Sequence, residues 1–103
     1  EERRKKAIAI VEKHMDNVEF STEIFAREMC MSRSNLHIKM KALTGESAND
    51  FIRKMRFNQA CKLLKEGKYT VSEISGMVGF NTPSYFATSF KKYFGCLPSE
   101  YGK

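Results

Sequence analysis

The chain has 103 residues, of which 42% are hydrophobic and 29% charged, a composition typical of one globular domain and not of a disordered or fibrous segment. No apolar stretch reaches the roughly 20 residues of a membrane-spanning helix, and no signal-peptide pattern opens the chain. The 18 Lys and Arg residues exceed the 12 Asp and Glu residues by six, which favours phosphate-bearing or acidic partners. Because the first residue is Glu1 and not methionine, we expect a piece of a longer protein, and we expect this piece to make no membrane contact.

The predicted elements are all helical. Apolar residues recur at helical spacing instead of alternating, and only two prolines occur. Several helices begin at a hydroxyl residue that can accept a hydrogen bond from the first turn, such as Ser32, Thr70 and Thr82. Gly45 and Gly95 follow the third and last helices, where a left-handed residue commonly ends a helix. The predicted helices cover about residues 3–16, 22–29, 32–43, 47–66, 70–78 and 82–94, and a last short turn covers 97–101, which gives an all-α fold of about seven helices.

An internal repeat is the most informative feature of the chain. Residues 25–31 match residues 74–80 at an offset of 49, and after one inserted residue 32–45 match 82–95 at an offset of 50. Each copy has a short helix with a small residue, a tight turn, a capped second helix and a glycine stop. This order is typical of the helix-turn-helix motif. The sequence therefore predicts two such motifs in one chain.

The predicted helix over 47–66 separates the two motifs. At 1.5 Å per residue it is about 30 Å long, close to the roughly 34–36 Å between successive major grooves on one face of DNA. One monomer could thus place recognition helices at about 32–43 and 82–94 in successive major grooves. We expect residues 1–46 to form the first helix-turn-helix subdomain, 47–66 the linker helix and 67–103 the second subdomain.

Helix phase selects the side chains that could contact DNA. Leu36 and Met40 point toward the core, whereas Arg33 can contact guanine or phosphate and His37 can hydrogen-bond a base edge. The second recognition helix offers short, nearly neutral groups, so we expect it to read shape, methyl groups and backbone. The run from Arg3 to Lys6 is predicted to be a solvated face. The candidates for base edges are Arg33, Ser34, His37, Ile38, Pro83, Ser84 and Thr88, and those for phosphates are Ser32, Lys41, Thr82, Tyr85, Lys91 and Lys92.

Other classes of site find little support. Cys30, Cys61 and Cys96 are widely spaced, with no Cys-x-x-Cys pair, which argues against a disulfide framework or zinc and suits a reducing cytoplasm. We expect all three to be small buried hydrophobes, and we predict no metal and no cofactor. Glycine-rich phosphate loops, His-Glu-x-x-His and paired carboxylates are absent from the sequence, so this piece is not predicted to be an enzyme. The competing hypothesis is a basic protein-interaction module that docks an acidic partner.

One set of residues extends over both predicted motifs and the helix between them: Glu73–Phe80, Ser84–Phe86, Phe90–Lys92, Gly95, Pro98 and Tyr101, together with Ser32–Leu36, Lys41, Thr44–Gly45, Phe51–Ile52, Arg56, Ala60 and Leu63–Leu64. This set resembles the signature of AraC/XylS-type transcription regulators. The resemblance implies a module of seven helices with two helix-turn-helix units, bound to double-stranded promoter DNA, acting with RNA polymerase and fused to a sensing or receiver domain. Within that family, the chain is most similar to the output modules of hybrid two-component regulators, whose other domains, such as a histidine kinase, can be catalytic.

This sequence departs from the family pattern at four positions. Thr88 and Ile38 stand where the family commonly has a long polar residue, which affects base reading. Ser75 replaces a commoner alanine and Cys30 a commoner glycine or other small residue. In the turn, the residue at position 30 or 79 must adopt a conformation that glycine tolerates best. Gly79 fits this requirement, so the turn at Cys30 is expected to adapt or to carry strain.

Overall fold

The computed structural model describes residues 2–101, and within that range the chain forms helices and no strand. The all-α prediction is confirmed, with six helices where about seven were expected. At the predicted seventh position the chain makes a single turn, in which the Tyr101 amide donates to the Leu97 carbonyl at 3.2 Å. One turn of this kind provides too few successive hydrogen bonds for a helix. The helices are α1 (Glu2–Lys13), α2 (Thr22–Glu28), α3 (Arg33–Thr44), α4 (Ala48–Glu66), α5 (Val71–Met77) and α6 (Pro83–Phe94).

Hydroxyl caps and left-handed glycines fix the helix ends, as predicted. The Asn35 amide donates to the Ser32 hydroxyl oxygen at 3.2 Å at the start of α3. Thr70 and Glu73 form a reciprocal capping box at the start of α5. Gly45 and Gly95 follow α3 and α6 with φ of 78° and 86°, in the left-handed region where a side chain would be strained.

Two compact units make up the structure. Among residues 2–101, the first unit comprises those up to Met15 together with Glu19–Met55, and the second comprises Asp16–Val18 together with those from Arg56 onward. The first half of α4 therefore belongs to one unit and its second half to the other. Each unit has its own hydrophobic core.

The core of the first unit forms where α1, α2, α3 and the start of α4 meet. Phe25, Leu36 and Met40 are almost completely buried there, together with Ala7 and Val11 from α1. Phe25 also stacks on Phe51, with ring centroids 6.3 Å apart. Burying a side chain of this size stabilises the fold by about 1.5–3 kcal/mol, so this core holds the two helices of the first motif in place.

The core of the second unit is aromatic. Phe57, Phe86 and Phe90 are completely buried. Phe57 packs edge-on against Phe90 at 6.0 Å, and Phe80 packs edge-on against Phe86 at 5.1 Å between ring centroids. These contacts anchor the inner face of α6 and leave its outer face free for another role.

Cysteine burial differs from the sequence prediction. Cys30 is exposed, so the expectation that it is a small buried hydrophobe is wrong, whereas Cys61 and Cys96 are half-buried. Cys30 is exposed because it lies in the turn between α2 and α3. Among residues 2–101 no group of three or more His, Cys, Asp or Glu side chains is arranged to hold a metal ion. None of the helices in this range has the length and apolarity needed to cross a membrane.

Candidate nucleic-acid interface

The two helix-turn-helix motifs repeat the same backbone hydrogen bonds. In the first turn the Met31 amide donates to the Ala26 carbonyl at 2.9 Å. In the second turn the Phe80 amide donates to the Ser75 carbonyl at 2.8 Å. The offset of 49 residues seen in the sequence is therefore a repeat of structure, and it presents α3 and α6 in the same way within their units.

The two departures from the family pattern in the turn region have different consequences. Cys30 keeps the left-handed conformation, with φ of 61°, close to the 83° of Gly79. The turn has thus not adapted to the cysteine, and the strain remains in the backbone. Ser75 is buried, but its hydroxyl donates to the Ser72 carbonyl at 2.8 Å, so the polar group is satisfied where the family commonly has alanine.

Arg56 supports the second turn, a role that the sequence did not reveal. Its Nη1 donates to the Gly79 carbonyl at 2.9 Å and its Nη2 donates to the Asn17 carbonyl at 3.0 Å. Burial lowers the pKa of the Arg56 guanidinium from its usual value. Its Nε is buried without a hydrogen-bond partner among the described residues. These bonds span 23 and 39 residues of sequence, and no local pattern signals them.

Helix α3 projects its predicted base-edge side chains into solvent. Arg33, Ser34 and His37 are exposed, and Ile38 is 64% exposed, whereas Leu36 on the inner face is buried. Ile38 is the largest apolar group on the outer face of α3. An isoleucine in this position can contact a thymine methyl group but cannot donate to a base.

A groove lies on each side of α3, and Ile38 lines both. The first, which we call the α1 groove, has a volume of about 490 Å³ and separates α3 from α1. The second, the α4 groove, has a volume of about 650 Å³ and lies between α3 and the start of α4. The α1 groove is lined by Arg3, Lys6, Met29, Cys30, Met31, Asn35, Ile38 and Lys39. The α4 groove is lined by Thr22, Arg33, Ser34, Leu36, His37, Ile38, Ser47, Ala48 and Asn49.

The α4 groove brings together the base-edge candidates Arg33, Ser34, His37 and Ile38. Lining residues from outside α3, Asn49 among them, were missed from the sequence because they come from separate elements. The helix predicted over 47–66 places Asn49 in its first turn, but no local pattern signals that this turn lies beside α3. The groove therefore combines a cation, an imidazole and several hydrogen-bonding groups at the outer face of α3.

The first half of helix α6 presents short, uncharged side chains on its outer face. Pro83, Ser84 and Thr88 are exposed above the buried Phe86 and Phe90. Their short side chains reach less far than the arginine and histidine of α3. The face of α6 is therefore suited to close contact with a surface and offers few groups for hydrogen bonds to bases.

The phosphate candidates are all exposed, and two of them cap the recognition helices. Thr82 accepts from the Tyr85 amide at 3.1 Å, as Ser32 accepts from Asn35. An accepting hydroxyl still has its own hydrogen to donate, so both caps can bind a phosphate oxygen. Tyr85 is 60% exposed. The lysine candidates Lys41, Lys91 and Lys92 are exposed as well.

Comparison with known proteins identifies the repeated motif. A family model described as a helix-turn-helix domain matches residues 25–103. The chain is 42% identical over 97 residues to Histidine kinase P4 from Formosa agariphila, a match that covers 94% of this chain and 7% of that protein. The chain spans less than a third of the length of the first curated relatives it matches.

Solved structures share the whole fold. The C-terminal domain of the two-component response regulator yesN from Fusobacterium nucleatum superposes with a TM-score of 0.92 at 26% identity, over 100% of both chains. The DNA-binding domain of the global transcriptional factor AdpA, solved in complex with a target DNA, superposes with a TM-score of 0.86 at 28% identity, over 95% of this chain and 87% of that one.

Proposed function

Because this chain belongs to the AraC/XylS-type family of transcription regulators, we propose that it inserts α3 and α6 into successive major grooves of promoter DNA, as the output domain of a bacterial regulator. The observation that carries the proposal is the repeated turn geometry, which presents two exposed helices in one chain. The relatives support DNA binding over the interaction-module alternative.

The proposal includes a division of labour along the chain. The two DNA-reading subdomains are assigned to residues 1–46 and 67–103, and the helix over 47–66 spaces them while contributing its first half to the core of the first unit and its second half to that of the second. A sensing or receiver domain lies outside this piece. Any catalytic activity of the whole protein, such as that of a histidine kinase, resides in such other domains. The regulator acts in the cytoplasm and works with RNA polymerase.

In the first subdomain, α3 makes most of the hydrogen bonds to bases. Arg33 binds guanine or a phosphate, while Ser34 and His37 hydrogen-bond base edges. Ile38 contacts a thymine methyl group. Ser32 and Lys41 hold the flanking phosphates.

In the second subdomain, α6 reads mainly the shape and methyl groups of its half-site. Pro83, Ser84 and Thr88 form the contact face. The phosphates on either side are held by Thr82, Tyr85, Lys91 and Lys92. This half-site is accordingly expected to tolerate more base changes than the one read by α3.

The test is to select bound duplexes from a random pool and to measure binding to every single-base variant of the selected site. We expect Arg33→Ala and His37→Ala to relax preference at one or two base pairs, each with a loss of about 1–3 kcal/mol at that position. Lys91→Ala should weaken all duplexes alike, because it removes a phosphate contact. Equal binding of the wild type to selected and scrambled duplexes would contradict the proposed function.

A further inference from the structure

We propose that the α1 groove holds one phosphate strand of the bound DNA, with Arg3, Lys6 and Lys39 as its phosphate-binding residues. This inference rests on the proposed function and extends it to α1, a helix outside the helix-turn-helix motif. The sequence predicted that the run from Arg3 to Lys6 is a solvated face, and all four residues are exposed. In addition, the structure brings two of these four cations, Arg3 and Lys6, to the flank of α3.

The position of the groove relative to α3 is the first argument. An α-helix with its side chains is about 10–12 Å across, and the major groove of DNA is about 12 Å wide. A helix inserted there therefore has a sugar-phosphate strand on each side. Ile38 lies on the outer face of α3 and lines a groove on each flank, so the α1 groove lies where one of these strands must pass.

Charge is the second argument. The α1 groove is lined by cations from two helices, Arg3 and Lys6 on α1 and Lys39 on α3. None of its lining residues, all within the described part of the chain, is acidic. The Asn35 side chain adds a hydrogen-bond donor on the same flank of α3. Four of the eight lining residues, Arg3, Lys6, Asn35 and Lys39, can thus bind a row of phosphates, while the other four, Met29, Cys30, Met31 and Ile38, are apolar.

The third argument is that these cations are available. Arg3, Lys6 and Lys39 make no ion pair with another residue of the described range. By contrast, Lys54 Nζ lies 3.5 Å from Glu46 Oε2, and Arg53 Nη1 lies 3.8 Å from Asp50 Oδ1. The cations of the α1 groove can therefore bind phosphate without first breaking an ion pair with another residue of the described range.

Neighbouring residues on α1 supply a matched control. Arg4 and Lys5 are exposed on the same helix turn and carry the same charges, but they do not line the α1 groove. The comparison is between Arg3→Gln/Lys6→Gln and Arg4→Gln/Lys5→Gln, which lose equal charge. Because all four positions are exposed and glutamine is a good helix former, both variants should melt like the wild type.

The experiment measures binding of these chains to the duplex selected by the wild type, across a KCl series. Each phosphate contact contributes about 0.9 to the slope of log K against log salt. The slope of Arg3→Gln/Lys6→Gln should therefore be shallower by about 1.8, with little change for Arg4→Gln/Lys5→Gln. Single methylphosphonate substitutions in the duplex should locate the contact, since some positions will weaken the wild type but not Arg3→Gln/Lys6→Gln.

Equal slopes for the two double variants would overturn the inference, because the charges would then act only through the overall field of the protein. An unchanged DNA affinity for Arg3→Gln/Lys6→Gln would overturn it too, and an acidic protein segment would become the better occupant of the groove. These results differ from failure of the proposed function. In that case the wild type itself shows no preference for any duplex and Arg33→Ala has no effect.

Discussion

At the scale of single residues, Cys30 is the clearest conflict between local preference and the fold. The turn between α2 and α3 needs a left-handed residue, and Cys30 adopts φ of 61° although its side chain disfavours that region. The matching position of the second motif is occupied by Gly79, which adopts this region without strain. Replacing Cys30 with glycine would remove the strain, but glycine is also more flexible in the unfolded chain, which offsets part of the stabilisation. We predict that Cys30→Gly raises the free energy of unfolding by about 0.5–1 kcal/mol, measured by urea denaturation.

Cys30→Ala is the control for this prediction. Alanine removes the exposed thiol but keeps a Cβ atom, so the backbone strain stays. The stability of Cys30→Ala should therefore remain close to that of the wild type. Equal stabilisation by alanine and glycine would mean that the thiol, and not the backbone conformation, is responsible.

The carboxyl group of Glu28 links α2 to the end of α1. It accepts a hydrogen bond from His14 Nε2 at 2.5 Å, and Lys13 Nζ lies 3.7 Å away. The hydrogen bond from His14, together with the nearby charges, holds the pKa of Glu28 below its usual value of 4.5. Because the folded state lowers this pKa, the stabilisation is present above the unfolded pKa and is lost as the pH falls through the folded one.

We predict that Glu28→Gln lowers the free energy of unfolding at neutral pH, and that its difference from the wild type shrinks as the pH falls below about 4.5. Glutamine keeps the shape of the side chain and removes the charge, so packing is matched. The measurement is chemical denaturation of both chains over a pH series. A difference that stays constant from neutral to acid pH would show that the ionised carboxylate contributes no stability.

At the scale of the elements, the sequence predicted what local chemistry determines. Helix starts at Ser32, Thr70 and Thr82 and helix ends at Gly45 and Gly95 each depend on a hydrogen bond or a φ angle within a few residues. At residues 97–101 the predicted short turn is present, and only its count as a seventh helix differs from the structure. Contacts between distant segments leave no such trace in one sequence.

In the candidate site, too, the sequence predicted the features that depend on local helix phase and missed those that depend on contacts between distant segments. Helix phase was enough to predict that Arg33 and Thr88 are exposed and that Leu36 is buried. It could not predict that Arg3 on α1 lies beside α3, or that Arg56 binds the Gly79 carbonyl, since both depend on tertiary packing. The assignment of residues to base edges or phosphates remains a prediction.

Helix α4 is the element on which the placement of α3 and α6 in two successive major grooves of DNA depends. It runs unbroken from Ala48 to Glu66, so any insertion within it rotates the rest of the chain. Two alanines inserted after Lys54 would turn the second unit by about 200°, at 100° per residue, relative to its present orientation. We predict a folded protein whose specific binding is largely lost, as measured by thermal melting and by titration with the selected duplex.

A single substitution at the same place is the control for this insertion. Replacing Lys54 with alanine changes the side chain at the insertion point, and removes its exposed ion pair with Glu46, without changing the helix phase, so most of the binding should remain. If the folded insertion variant binds as tightly as the wild type, then only one helix-turn-helix unit contacts DNA.

At the scale of the whole molecule, the positive charge determines how binding responds to salt. The chain carries a formal charge of +6, and exposed lysines flank both recognition helices. Phosphate neutralisation releases counterions, so log K falls with log salt by about 0.9 for each contact. If about five to eight phosphates are contacted, the slope for the selected duplex should lie between roughly −4.5 and −7.

The same salt series on an unrelated duplex separates charge from recognition. Phosphate contacts are common to all sequences, so much of the salt dependence should persist while the affinity falls. The difference in free energy between the selected and unrelated duplexes should then vary less with salt than either affinity alone, because base-edge contacts release few counterions. A slope near zero on the selected duplex would show that the basic charge of this chain does not serve DNA binding.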